Sequence, residues 1–147
     1  MTLQETLDFV QVTLQAAIDD VSVTEKADVE QPAEISNYVL KHPFAAYLVV
    51  LNSDKFSESK SSGAVTQERD IFVSVVSVTR AVNGKMKPAE HCDRIIDILS
   101  GTRIASPRGD GYISAVGTKF LQEEDGVWYY EVLIKVPEFY VEAQYRV

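Results

Sequence analysis

The sequence predicts an α+β domain: an antiparallel or mixed sheet of at least four strands with two helices packed on it. Three observations carry this prediction. Apolar residues recur at helical spacing in two segments, near residues 2–20 and 88–100, while the runs between and after them are rich in β-branched and aromatic residues. A third is the turn signal Glu123-Glu124-Asp125-Gly126, set between two such runs as a hairpin requires. The 147 residues, 46% hydrophobic and 24% charged, suit one domain spanning 1–147 and exclude a disordered chain.

Each element follows from its own pattern. Leu3, Leu7, Val10, Leu14, Ala17 and Val21 fall on one helical stripe, and Thr2 with Glu5 fits a capping box. Residues 22–37 are acidic and weakly patterned, with Pro32 as a breaker, and read as an extended connection. Residues 44–51 form a buried strand, too short for a typical helix. Residues 52–63, with five serines, read as a mobile loop or hairpin tip. A longer strand, apolar on both faces and therefore central, covers 65–81. Asn83-Gly84 turns the chain, and Pro88 opens a helix with Ala89, Cys92, Ile95, Ile96 and Leu99 on its apolar face, closed by Ser100-Gly101. After a polar loop at 102–111 come strands at 112–121 and 127–136. The second places Trp128, Tyr130, Val132, Ile134 and Val136 on one face. Pro137 ends the pattern and leaves 137–147 as a C-terminal arm.

Composition narrows the chemistry. A net charge of −8 opposes binding to nucleic-acid phosphates, and most of it sits at the ends: residues 1–40 hold eight acids and one base, while 41–119 hold eleven bases and eight acids. No apolar run approaches the ~20 residues that span a bilayer. The single cysteine, Cys92, lies on an apolar helix stripe where an inert core thiol belongs, which together with the lack of a leader pattern points to the cytosol. His91 and Cys92 are helix neighbours about 100° apart and cannot share a metal, and His42 stands alone before Pro43. Arg108-Gly109-Asp110 is a coincidental tripeptide in a loop, and Glu123 to Asp125 form a solvated tip. No phosphate-binding, nucleophile-elbow or metalloprotease motif occurs. The expectation is therefore a protein without catalytic residues, cofactor or metal.

The ordered pieces His42-Pro43, 46–50, Gln67-Glu68-Arg69, Val76-Ser77-Val78 with Arg80 and Gly84, 95–101, Phe120 and Glu124-Asp125-Gly126-Val127-Trp128-Tyr129 carry a likeness. Over residues 38–136 the chain resembles the small tail proteins of Mu-like contractile-tailed bacteriophages, which in turn resemble phage tail terminators. The most specific stretch is Asp125 to Tyr129, following a helix that ends Leu99-Ser100-Gly101. The resemblance implies a six-subunit homo-oligomeric ring that caps the tail tube, stops polymerisation of tube and sheath, and joins the tail to the neck. It places the chain in the host cytoplasm during assembly and at the head-proximal end of the tail in the virion. Its partners are then other copies of itself, tube and sheath proteins, and neck or connector proteins, with no sequence-specific nucleic acid and no membrane. The alternatives are a neck, head-completion or minor tail or baseplate protein, or a small-molecule-binding domain or enzyme, which would need a polar-lined pocket. The loop at 52–63 and the arm do not match the family. Residues proposed for contacts are Arg103 and Arg108, facing an acidic partner, and Phe139, Tyr140, Val141 and Tyr145, apolar groups in a segment too short to bury them alone.

Overall fold

In the computed structural model, which describes residues 2–26, 45–58, 65–81, 84–105 and 110–142, the chain runs α1 (Leu3–Ala16), β1 (Ser22–Glu25), β2 (Ala45–Phe56), β3 (Val65–Arg80), α2 (Pro88–Leu99), β4 (Arg103–Ile104), β5 (Gly111–Tyr112), β6 (Ser114–Glu124) and β7 (Val127–Glu142). The main sheet has the order β1-β2-β3-β7-β6, parallel only between β1 and β2, and β4 pairs with β5 in a separate two-stranded sheet. The architecture is the expected α+β one, with a mixed sheet.

Both helices start where their caps say. The Thr2 hydroxyl accepts the Glu5 N–H at 3.1 Å, and the Glu5 carboxylate accepts the Thr2 N–H, closing the capping box. The buried line of α1 is Thr6, Val10 and Leu14, while Leu3 and Leu7 are only half-buried. Thr6 takes a core position because its hydroxyl donates to the Thr2 carbonyl at 2.9 Å, which satisfies its polar atom within the helix. The helix stops at Ala16, short of the stripe read through Val21. Ala17 is exposed, and Ile18 and Val21 reach the core from the following turn. In α2, Pro88 occupies the first turn, Cys92, Ile95 and Leu99 are buried, and Ala89 is exposed. Gly101, at φ +85°, then reverses the chain, and its N–H donates to the Ile113 carbonyl at 2.8 Å.

Four segments differ from expectation. Residues 22–25 are a strand rather than a connection, because Val23 buries its side chain in the core beside α1. Strand β2 continues to Phe56, so 52–56 are not loop; the polar strands hold there because the Arg69 guanidinium stacks on the Phe56 ring and pairs with Asp54 at 2.8 Å. Residues 59–63 lie outside the described residues. The segment 102–111 begins and ends in the short β4–β5 ladder. Finally, β7 does not end at Pro137 but runs on to Glu142, opposite Val65 to Asp70 of β3. Pairing of β6 with β7 stops at Lys135, so beyond it β7 has a ladder partner on one side only among the described residues, and proline is tolerated in a strand at such an edge.

Pro137 also explains Gly111. A β-carbon at Gly111 would lie 2.5 Å from the proline Cγ, and neither the ring nor the strand pairing behind it yields easily. Gly111→Ala is therefore expected to destabilise the domain by about 1–3 kcal/mol, read as a lower urea midpoint. An unchanged midpoint would mean that β5 does not pack on β7.

The core has two parts. Under the helices, Tyr47, Val49, Val73, Val75, Val132 and Ile134 meet Val10, Leu14, Ile95 and Leu99; on the opposite face, Ala46, Leu48, Val78, Val127 and Tyr129 form a smaller buried cluster. Both faces of β2 and β3 are thus buried, which is why their sequences are apolar runs rather than alternations.

Candidate assembly interface

Strand β6 forms one edge of the main sheet and pairs only with β7 among the described residues. Residues 115–124 are all exposed, yet they include Val116 (52% exposed), Phe120 (48%) and Leu121 (42%); Tyr112 of the neighbouring β5 is exposed as well. The register explains the placement. It skips a residue between Ala115 and Gly117 and another between Phe120 and Gln122, so Val116 and Leu121 are the bulged positions. A bulge re-aims its side chain away from the regular pleat, and here both re-aimed side chains are apolar. An eleven-residue edge strand of this kind is a ready surface for another chain.

At the hairpin tip, Asp125 (φ 52°) and Gly126 (φ 80°) both adopt positive φ, as a two-residue type I′ turn demands. The Gly126 N–H donates to Glu123 at 2.9 Å, so this carboxylate serves the turn. Behind the edge, Phe120 packs on Tyr130 and Trp128 at centroid distances of 5.5 and 5.9 Å. Trp128 and Tyr130 in turn line an open cavity of about 450 Å³ with Met86, Pro88, Lys85 and Lys87, at the start of α2.

The titratable residues of α2 are built into the fold. The Tyr47 hydroxyl lies 2.5 Å from His91 Nδ1, with both side chains buried between β2 and α2. Burial holds the Tyr47 proton well above the usual tyrosine range. It also lowers the His91 pKa, helped by the nearby Arg94 cation, so a neutral imidazole shares a hydrogen bond with the neutral tyrosine hydroxyl. Arg94 closes α2 onto the turn after α1 by pairing with both carboxylate oxygens of Asp20. Burial pushes the Cys92 thiol up to about 11, the opposite of an activated nucleophile.

Two consequences are measurable. Because the folded His91 pKa lies below the ordinary 6.5, the unfolded chain binds more protons below that value, and stability is expected to fall as pH drops through 6.5 toward the folded pKa. Tyr47→Phe leaves a buried imidazole nitrogen without its hydrogen-bond partner and is expected to cost about 1–3 kcal/mol. Urea titrations above and below pH 6.5 check both. A midpoint independent of pH across this window, or unmoved by the substitution, would contradict the buried pair.

The contact residues proposed from sequence are not gathered in one place. Arg103 is exposed on β4 and pairs with Asp110 at 3.0 Å, so its charge is partly spent within the chain. The backbone of Phe139, Tyr140 and Val141 belongs to β7 and pairs with Glu68, Gln67 and Thr66 of the same chain. Arg108 and Tyr145 lie outside the described residues. The β6 edge was missed, although its sequence carried a signal. Val116, Phe120 and Leu121 do not alternate, and adjacent large residues at 120 and 121 cannot both face one core from a regular strand.

Among curated proteins, none matches the chain. A family model described as Gp37 protein matches residues 11–146, from the middle of α1 to beyond the last strand. With nearly its whole length matched, the chain belongs to the Gp37 protein family, a phage-related family.

Proposed function

We propose that the protein is a structural component of a contractile phage tail, a tail terminator whose copies close into a ring of six at the head-proximal end of the tube. In this role it stops tube and sheath growth and presents a surface to the neck. The observation that carries the reading is the β6 edge, an exposed strand with Val116, Phe120 and Leu121 available for a neighbour. A closed ring joins unlike patches on successive subunits, and the β6 edge would supply one of the two patches that each copy needs. Family membership supports a phage protein in general, and the resemblance of residues 38–136 supports the terminator role in particular. Phe139, Tyr140, Val141 and Tyr145, with Arg103 and Arg108, are further contact residues in this proposal. An acidic ring also suits passage of DNA, because a wall that repels phosphates does not bind what slides past it.

Mass measurement in solution across protein and salt concentration, followed by negative-stain imaging, tests the reading. A net charge of −8 per copy opposes closure when screening is weak, so a monomer or weak oligomer is expected in dilute low-salt buffer. Rings, six-fold in projection, are expected at high concentration and moderate salt. A monomeric mass throughout, with no rings in the images, would contradict it.

A further inference from the structure

Among the described residues the main sheet ends in two edge strands, β6 on one side and β1 on the other, and the chain finishes them differently. The β6 edge carries apolar side chains on its bulges. The β1 edge is met by glutamines of α1. Gln15 Oε1 accepts the Val23 N–H at 2.9 Å, and its Nε2 donates to the Val21 carbonyl at 3.0 Å; Gln11 Nε2 donates to the Val23 carbonyl at 2.8 Å. The N–H and C=O of one strand residue point to the same side, so Val23, whose two groups both go to α1, directs them away from β2. These are the groups that a further strand would bond. Gln11 and Gln15 stand four apart on one helix face, and each amide offers both an acceptor and donors, as a strand backbone does. Gln4, seven residues before Gln11 on the same face, extends the contact by donating to Glu25 Oε1 at 2.8 Å at the end of β1.

We propose that Gln11 and Gln15 seal the β1 edge against a second copy of this chain, so that β6 of one subunit does not continue its sheet through β1 of the next. The inference rests on the reading of β6 as the adhesive edge, and it removes the β1 strand as the second patch of the ring. A second copy is the strand that the seal must exclude, because every copy brings an eleven-residue β6 to wherever copies gather. Pairing β6 with β1 would join unlike edges and so repeat from copy to copy. Neighbouring strands are rotated by roughly 20–25° in one sense, and a sheet extended in this way winds into an open filament. The seal therefore separates a closed assembly from unlimited sheet growth. The shortness of β1, four residues, works in the same direction.

The test compares the full-length parent with Gln11→Ala, Gln15→Ala, which opens the Val23 and Val21 backbone groups and leaves the net charge at −8, so general repulsion is the same in both. Light scattering and negative-stain imaging across protein concentration are expected to show filaments or irregular chains of the uncapped variant at about tenfold less protein than the parent needs for any assembly. Adding Val116→Lys and Leu121→Lys to the uncapped chain is expected to cancel the gain, because the growth runs through β6. Circular dichroism establishes folding. Should the double variant unfold, Gln11→Ala alone, which opens only the Val23 carbonyl, is expected to show a smaller gain of the same kind. Amide exchange on the dilute parent gives a second readout, with the Val23 N–H expected to be slow, and faster in the folded uncapped chain. A folded uncapped chain that assembles no more readily than the parent would overturn the proposal. So would a gain that the β6 lysines leave intact, or a Val23 N–H that exchanges in the parent as fast as in an unfolded chain. A parent that forms no rings at any concentration removes the ring reading, while the comparison of capped and uncapped chains still decides the seal.

Discussion

Val116→Lys combined with Leu121→Lys is expected to abolish ring formation while leaving the subunit folded. Both residues are bulged positions on β6, skipped by the pairing with β7, so the substitutions remove no ladder partner. Both side chains are largely exposed, and changes at such positions usually move stability by no more than about 0.5 kcal/mol. In a closed ring, however, each would lie in a desolvated joint. Two lysines there lose apolar contact and bring buried charge, and central interface residues each account for about 2 kcal/mol or more. Association is expected to weaken at least ~100-fold, with the melting temperature unchanged. Rings that form at the parent's concentration would show that β6 faces solvent in the assembly. A chain that unfolds would show that Val116 and Leu121 support the domain itself.

The largest effect on the subunit is expected from Ile95→Ala. Ile95 is fully buried at the centre of α2, where the helix meets β3 and β7. Truncation leaves a cavity that the close-packed helix and sheet cannot collapse, costing about 2–5 kcal/mol of a stability that for such domains totals about 5–15. Asp97→Ala, two residues on and exposed, is the control and should change little. Denaturant unfolding separates the two. A small loss at Ile95 would mean that α2 is loosely docked and could not position the aromatic wall formed by Trp128 and Tyr130.

The parts of this fold that were legible in sequence are those where one strong local signal met no tertiary competitor. Thr2 with Glu5, Pro88, Gly101, and Asp125 with Gly126 each fix a boundary through backbone chemistry within a few residues, and each sits where its residue type requires. The alternation from Trp128 to Val136 was likewise visible because only one face of that stretch packs under the helices. What could not be read depends on distant partners. Strand β1 exists because Val23 finds a place beside α1 and β2, and its four residues carry too little pattern to announce a strand. The extension of β2 to Phe56 depends on Arg69, thirteen positions away in sequence, stacking across the strands. Pro137 signalled a strand end, yet the pairing partner on β3 and the early departure of β6 override it.

The candidate interface shows the same division. Residues 137–147 drew attention because large apolar groups follow a proline in a short segment, but the backbone at Phe139 to Val141 is already engaged with β3 of the same chain. The β6 edge escaped notice because its residues look like an ordinary half-apolar strand; only the register shows that Val116 and Leu121 fall on bulges. His91 and Cys92 illustrate the converse. Reactive residue types side by side on a helix invite a chemical reading, whereas burial and the Tyr47 contact make both part of the core.

The central claim is that this chain ends tail growth, and the length of tails assembled without it tests that claim most directly. In a lysate of the parent phage with this gene inactivated, electron microscopy is predicted to show tubes and sheaths with a broad distribution of lengths extending well past the normal value, and heads unattached; supplying the intact chain should restore uniform tails, and the Val116→Lys, Leu121→Lys chain should not. Tails of normal, uniform length joined to heads in the absence of the protein would contradict the account.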